Sequence, residues 1–119
     1  LGDLGYLDED GYLFVVDRRK DMIITGGANV YPAEVEAVLV VHPAIGEAAV
    51  IGLADAEYGE IVTAVVVADG ELAPREVLDY CREHLVRYKA PRRVEIVESL
   101  PRDPMGKIQK RTLRETFSP

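Results

Sequence analysis

The fold is decided by residues 17–36, which read DRRKDMIITGGANVYPAEVE. The charged start interrupts the apolar pattern, as a short linker between two folded parts does. Residues 22–25 then predict a short strand that stops at a Gly-Gly pair, and residues 29–31 can return as its partner. Pro32 suits the first turn of a helix, and apolar residues follow it at helical spacing. The segment therefore predicts a boundary, a tight hairpin and a short amphipathic helix that Pro43 ends.

Strands and helices alternate on both sides of this segment. Apolar runs predict strands over residues 45–54, 61–68 and 94–97. The run over 61–68 is apolar on both faces, so we expect it to lie centrally in the sheet. Upstream, residues 4–7 and 12–16 flank an Asp-Gly turn and predict a β-hairpin. The whole order predicts an α+β fold, a small mixed or antiparallel sheet flanked by about three helices and preceded by this hairpin.

Two further helices are predicted, over residues 74–87 and 108–117, the second of them basic. The first has an apolar stripe at helical spacing. Its members are Val77, Leu78, Cys81, Leu85 and Tyr88. Because Cys81 lies in the middle of the stripe, we interpret it as a small core residue and not as a reactive thiol.

The composition describes one ordinary globular domain. The chain has 119 residues, of which 48% are hydrophobic and 29% charged, so disordered and low-complexity classes are excluded. No apolar run reaches the ~20 residues of a membrane helix, and the acidic first ten residues differ from a signal peptide. We therefore expect no membrane span and a cytoplasmic location. One Cys and two His residues cannot form a structural zinc site, so no metal site is expected.

The charge is distributed unevenly along the chain. Residues 1–86 carry 5 basic and 17 acidic side chains, a net −12, whereas residues 87–119 carry 9 basic and 4 acidic ones, a net +5. The basic part is either a solvated face or a surface that attracts a small polyanion such as a nucleotide or coenzyme A. Nucleic acid is disfavoured because the whole chain has a net charge of −7.

Signatures of a self-contained enzyme are missing from the sequence. Gly106-Lys107 is followed by Ile108, where a phosphate-binding Walker A loop needs Ser or Thr. The chain also lacks a G-x-S-x-G nucleophile motif. A hydrolase or metalloenzyme complete within this chain is therefore disfavoured.

Three motifs in order resemble the C-terminal part of the adenylate-forming (AMP-binding) ligase superfamily. They are Gly2-Asp3, the segment 17–36 and LPRDPMGKIQKRTLRE at 100–115. The superfamily includes acyl-CoA synthetases, adenylation domains of peptide synthetases and luciferases. The resemblance implies a large N-terminal domain that binds ATP and a carboxylic acid, and a small lid that closes on it. It implies that residues 1–17 end the large domain, 18–21 form the hinge and 22–119 form the lid.

The resemblance also assigns roles near the boundary. Asp3 matches the aspartate that binds the ribose hydroxyls of the nucleotide, although Leu1 stands where the family usually has Thr. Arg18 matches an arginine that also contacts the ribose, and Lys20 matches the hinge residue. The implied partners are the N-terminal domain of the same enzyme, ATP or AMP, coenzyme A and the acid. Mg²⁺ is expected with ATP but not bound by this chain.

Within the lid, the resemblance singles out two places. Gly26 and Gly27 match the loop that lines the tunnel for the pantetheine arm of coenzyme A, and their missing side chains would let the arm pass. Lys107 matches the catalytic lysine that reaches the reacting carboxylate and the α-phosphate. Glu34 matches a family glutamate, and favourable charge at a helix start would equally explain it.

The amino-acid sequence of this segment favours one branch of the superfamily. MIITGGANVYPAEVE, at 22–36, is similar to acyl-CoA ligases that act on fatty or aromatic acids. The implied function is activation of a carboxylic acid, expected to be a fatty acid, as its acyl-adenylate and transfer to coenzyme A. Two alternatives stay open: an adenylation domain that loads a carrier protein, and a non-catalytic binding module with a basic C-terminal face.

Overall fold

Residues 21–118 are described by the structure, a computed structural model of the chain. Its strands are β1 (Ile23–Thr25), β2 (Ala28–Val30), β3 (Ile45–Asp55), β4 (Gly59–Ala68) and β5 (Arg93–Val97). Its helices are α1 (Pro32–Leu39), α2 (Pro74–His84) and α3 (Lys110–Phe117), and a 3₁₀ turn covers Arg87–Lys89. No helix of the described range has the length and apolar character that crossing a bilayer requires. The predicted upstream β-hairpin and most of the predicted hinge lie outside this range.

The sheet is mixed, and β4 is its central strand. β3 pairs with β4 antiparallel from Ile45↔Ala68 to Asp55↔Gly59. On the other edge of β4, β5 pairs parallel over residues 63–67, and β1 joins through Thr25↔Gly59. β2 pairs antiparallel with β1 and ends the sheet. The predicted α+β fold with a small mixed sheet and three helices is therefore confirmed, as is the central place of residues 61–68.

Both faces of the sheet are covered, which explains why β4 is apolar on both faces from Ile61 to Ala68, with Thr63 as the one polar residue there. Successive side chains of a strand point to opposite faces. Val62, Ala64 and Val66 belong to the core under α1 and α2, which also contains Val35, Leu39, Val77 and Cys81. Val65 faces the other core, under α3, together with Ala49, Ile51, Leu53, Leu100 and Leu113. The two layers of helices thus lie on opposite faces of one sheet.

Three helix boundaries differ from the sequence predictions. α1 ends at Leu39 and not at Pro43, because a tight turn follows it in which the His42 amide donates to the Leu39 carbonyl oxygen at 3.0 Å. α2 ends at His84 and not at residue 87, because Leu85 is extended, with φ −132° and ψ 150°. Tyr88 consequently lies in the 3₁₀ turn with 48% of its surface exposed, and the prediction that it continues the apolar stripe is wrong. The last helix begins at Lys110 and not at residue 108, because Ile108 forms a β-bridge with Arg102.

Cys81 is a core residue, as predicted, with no exposed surface. Burial raises the pKa of its thiol to about 11, because the thiolate would lose its hydration. At pH 8 the folded protein should therefore react with a thiol reagent such as dithionitrobenzoate at least about 100-fold more slowly than the unfolded chain, because only the thiolate attacks. Labelling within the mixing time under native conditions would contradict this prediction.

Candidate functional site

Lys107 belongs to a closed turn that we call the lysine loop, residues 101–109. The loop begins and ends in an antiparallel bridge between Arg102 and Ile108. Inside this bridge the Asp103 amide donates to the Lys107 carbonyl oxygen at 2.9 Å. The backbone that carries Lys107 is therefore tied down on both sides of the turn, whereas the residue itself is exposed.

The carboxylate of Asp103 organises the tip of the lysine loop. Its Oδ1 accepts hydrogen bonds from the amides of Met105 and Lys107, both at 2.9 Å. Gly106 has φ +88°, in the left-handed region that side chains disfavour. The Asp103 side chain and the left-handed Gly106 explain why the chain turns between residues 103 and 107.

The base of the lysine loop is fastened to β3. The Arg102 guanidinium donates to the carbonyl oxygen of Gly106 at 2.8 Å and also pairs with the Glu47 carboxylate. The Gln109 amide donates to the Pro101 carbonyl oxygen at 2.8 Å. The loop is thus anchored near the end of β3 at which Glu47 pairs with Val67.

An open cleft of about 690 Å³ borders the lysine loop and α3. Its lining carries four cationic side chains, Lys107, Lys110, Arg111 and Arg114, and three acidic ones, Asp21, Glu36 and Asp103. Asp21 forms ion pairs with Lys110 and Arg114, and Glu36 forms one with Lys110. Cations at the rim of an open cleft can stabilise negative charge that a second surface brings to it.

Gly26 and Gly27 form the tight turn between β1 and β2, with φ values of +57° and +83°. Their backbone conformation alone favours glycine. The Gly26 amide donates to the Tyr58 carbonyl oxygen at 2.9 Å, and a Cβ on Gly26 would lie 3.7 Å from the Tyr58 ring. A Cβ on Gly27 would meet nothing within 4 Å. One side of the turn is therefore supported by Tyr58, and the other is open.

A second cleft, of about 510 Å³, is lined by Arg82, Arg87, Ala90, Pro91 and Arg92; we call it the arginine cleft. The Arg92 guanidinium carbon lies 4.1 Å from the centre of the Tyr58 ring, the same ring that borders Gly26. The arginine cleft and the glycine turn are therefore neighbours. Arg87 and Arg92 lie in the basic stretch 87–119, which is the one sequence signal for this cleft, whereas Arg82 lies in the acidic part of the chain and has no such signal.

Glu34 does more than place negative charge at a helix start. Its Oε2 accepts a hydrogen bond from Lys89 Nζ at 2.8 Å, which joins α1 to the 3₁₀ turn beside the arginine cleft. This hydrogen bond raises the pKa of Lys89. The contact supplies a structural role for Glu34 that its position in the sequence does not reveal.

The predicted site residues fall into separate places. Asp3, Arg18 and Lys20 lie outside the described residues. Among the others, the lysine loop is anchored beside Glu47, whereas the glycine turn lies beside Gly59, which pairs with Asp55 at the far end of β3. Glu47 and Asp55 are eight residue steps apart along the strand, a rise of about 26 Å. Within residues 21–118, no three His, Cys, Asp or Glu side chains form a group that could hold a metal ion.

Comparisons with known proteins agree with this architecture. A long-chain-fatty-acid–CoA ligase of Mycobacterium tuberculosis is 52% identical over 118 residues, 98% of this chain and 24% of the relative. ATP-bound MatB of Rhodopseudomonas palustris has a TM-score of 0.80 and 46% identity, over 83% of this chain and 20% of that one. The o-succinylbenzoate CoA synthetase of Bacillus subtilis, solved with its acyl-adenylate intermediate, has a TM-score of 0.79 and 44% identity, over 92% of this chain and 22% of that one.

This chain spans about a quarter of the length of the curated relatives it matches. Residues 34–107 match the model of the family described as the AMP-binding enzyme C-terminal domain. The match runs from Glu34 in α1 to Lys107 in the lysine loop and includes the arginine cleft. The chain therefore belongs to the family of AMP-binding enzyme C-terminal domains, within the adenylate-forming superfamily.

Proposed function

We propose that this chain is the lid of an ATP-dependent acid–thiol ligase that makes an acyl-adenylate and then an acyl-CoA thioester. The observation that carries the proposal is the pair of surfaces at opposite ends of one sheet. One presents the lysine loop, and the other presents the glycine turn beside the arginine cleft. Relatives of this chain are named as CoA ligases, and one solved relative holds an acyl-adenylate, which supports the same chemistry.

The lysine loop serves the first half-reaction. A carboxylate oxygen attacks the α-phosphorus of ATP: an O–P bond forms, the bond from the α-phosphorus to the α,β-bridging oxygen breaks, and pyrophosphate leaves with that electron pair. Two anions must approach each other, so a cation delivered by the closing lid stabilises the transition state most when water is excluded. Lys107 suits this role because its backbone is fixed by Asp103 and its charge lies on a flexible stem.

The glycine turn and the arginine cleft serve the second half-reaction. The thiol sulfur of coenzyme A attacks the acyl carbonyl carbon: a C–S bond forms, the acyl C–O bond to the phosphate breaks, AMP leaves, and the thiol proton passes to water. Coenzyme A carries phosphate groups, for which arginine guanidinium groups are suitable partners. The open side of Gly27 leaves space for its narrow pantetheine arm.

The remaining partners follow from the same proposal. Asp3 and Arg18 bind the ribose of the nucleotide, residues 1–17 end the large domain, and the lid turns about Lys20. Mg²⁺ accompanies ATP without being held by this chain. The acid is a fatty acid in the first instance, with an aromatic acid as the alternative, because the named relatives include ligases of both kinds. The enzyme acts in the cytoplasm.

The experiment that tests this function uses the full-length parent protein. Purified parent is mixed with ATP, Mg²⁺ and a panel of fatty and aromatic acids, and pyrophosphate release and coenzyme A consumption are measured separately. Both activities with one acid support the proposal. Pyrophosphate release without coenzyme A consumption would indicate an adenylation domain that loads a carrier protein. Neither activity, with retained binding of a polyanion, would indicate the non-catalytic module.

Asp103→Ala in the parent should lower the rate of acyl-adenylate formation about tenfold, because small misplacements of a catalytic group are costly. The substitution removes the acceptor for two loop amides and frees the backbone of Lys107. Asp103→Asn keeps an oxygen acceptor and should stay within about threefold of wild type. Single-turnover pyrophosphate release gives the rates, and equal loss in Asp103→Asn would contradict this role.

A further inference from the structure

Four charged side chains form a half-buried cluster where the described chain begins; we call Asp21, Glu36, Lys110 and Arg114 the ion-pair cluster. Lys110 Nζ lies 2.8 Å from Glu36 Oε2 and 4.0 Å from Asp21 Oδ2. An Arg114 guanidinium nitrogen lies 3.7 Å from Asp21 Oδ1. The side chains of Asp21 and Lys110 are each only 16% exposed, so these pairs are screened less than surface pairs such as Arg75–Asp79.

The ion-pair cluster connects four parts of the lid. Glu36 lies on α1, and its Oε2 also accepts a hydrogen bond from the Val50 amide of β3 at 2.9 Å. Lys110 and Arg114 lie on α3, and Asp21 precedes β1. Because two carboxylates face two cations, removal of one member leaves the opposite charge partly buried without its partner. The segment at Asp21, where the described chain begins, is therefore held against α1 and α3.

Members of the ion-pair cluster are neighbours, along the chain, of the predicted pivot of the lid and of the lysine loop. Asp21 directly follows Lys20, the predicted pivot, and Lys110 is the first residue of α3, three residues after Lys107. Three residues span at most about 10 Å of chain, so a tilt of roughly 6° at Lys110 moves Lys107 by about 1 Å. A displacement of 1 Å can cost on the order of 100-fold in rate.

We propose that Asp21 and Lys110 are positioning residues that fix the lysine loop relative to the pivot of the lid. The proposal rests on the function proposed above and deepens it. Because Asp21 moves with the lid, the rotation is confined to residues 18–20, one residue less than the hinge that the sequence suggested. The ion-pair cluster then transmits that rotation directly to the loop that carries Lys107.

The test uses Lys110→Met and Asp21→Asn in the full-length parent. Lys110→Met keeps the side-chain stem, and Asp21→Asn keeps the shape of the carboxylate. In each variant the kcat of acyl-adenylate formation should fall about tenfold or more, with KM for ATP within about threefold of wild type. Thioester formation from added acyl-adenylate should also stay within about threefold, because the glycine turn is held by its own pairing with Tyr58 and Gly59 and not through the ion-pair cluster.

Three controls separate positioning from a purely structural role. Lys110→Arg keeps the charge and should restore at least about half of the wild-type rate, and exposed Arg75→Met should change neither half-reaction. The rate of acyl-adenylate formation in the double variant should be no lower than in the less active of the two single variants, because both residues act through one cluster. Equal loss in both half-reactions, or two single losses that multiply, would overturn the inference.

A readout without catalysis keeps the inference separate from the proposed function. Hydrogen exchange in the peptide covering residues 21–25 should be faster in Lys110→Met, because the segment at Asp21 loses its anchor. Unchanged exchange there would overturn the inference even if the parent proves to be a ligase. If exchange is faster but the parent releases no pyrophosphate, the ion-pair cluster does hold residues 21–25. The ligase function, and with it the role of the cluster in positioning Lys107, would then be rejected.

Discussion

Replacement of Lys107 by alanine in the parent should slow acyl-adenylate formation by about 10²- to 10³-fold, the scale of losing one preorganised charged contact. The alanine keeps the backbone amide that donates to Asp103, and the closed turn around Gly106 does not depend on the lysine side chain. The substitution therefore removes the ammonium group and leaves its support in place. Single-turnover pyrophosphate release at saturating ATP and acid measures the effect.

The second half-reaction provides the internal control for Lys107→Ala. Thioester formation from added acyl-adenylate should remain within about threefold of wild type, because the glycine turn lies beside the Asp55 end of β3 and the lysine loop is anchored at Glu47, about 26 Å away along the strand. Arg75→Ala removes an exposed cation of α2, outside both clefts, and should change neither rate. A loss of pyrophosphate release below tenfold would remove Lys107 from the catalytic role.

The parts of the fold that the sequence predicts are those with a local signal. β4 is apolar at consecutive positions, and only a strand covered on both faces needs that pattern. α1 and α2 begin at Pro32 and Pro74, where proline suits the first helical turn. The Gly-Gly pair predicts the glycine turn correctly, because two consecutive residues in the left-handed region favour glycine.

The missed features depend on residues that are distant in sequence. Lys110 meets Asp21 and Glu36 across more than 70 residues, and Arg102 reaches Glu47 across 55. No local sequence pattern identifies such an ion-pair partner, because a charged residue in the sequence is interpreted by default as exposed to solvent. The end of α2 was missed for a related reason: helical spacing continues through residues 85 and 88, although the backbone turns away at Leu85.

Lys20→Pro should slow thioester formation on the order of 100-fold and leave adenylation within about threefold, the difference expected when one of two lid orientations is lost. Proline fixes φ near −65° and also restricts the residue before it, Arg19. Since Asp21 is held by Lys110 and Arg114, residues after Lys20 cannot supply the lost rotation. Single-turnover rates of the two half-reactions, measured on the same preparation, give the ratio.

Lys20→Ala is the matched control because it removes the same charge and keeps backbone freedom. Both half-reactions of this variant should stay within about threefold of wild type if Lys20 acts as a pivot and its charge is dispensable. The glycine turn and the lysine loop are anchored at opposite ends of one rigid sheet, so one site can use both only if the lid turns. Equal slowing of adenylation and thioester formation in Lys20→Pro would therefore argue against rotation at this residue, because a fixed pivot must separate the two rates.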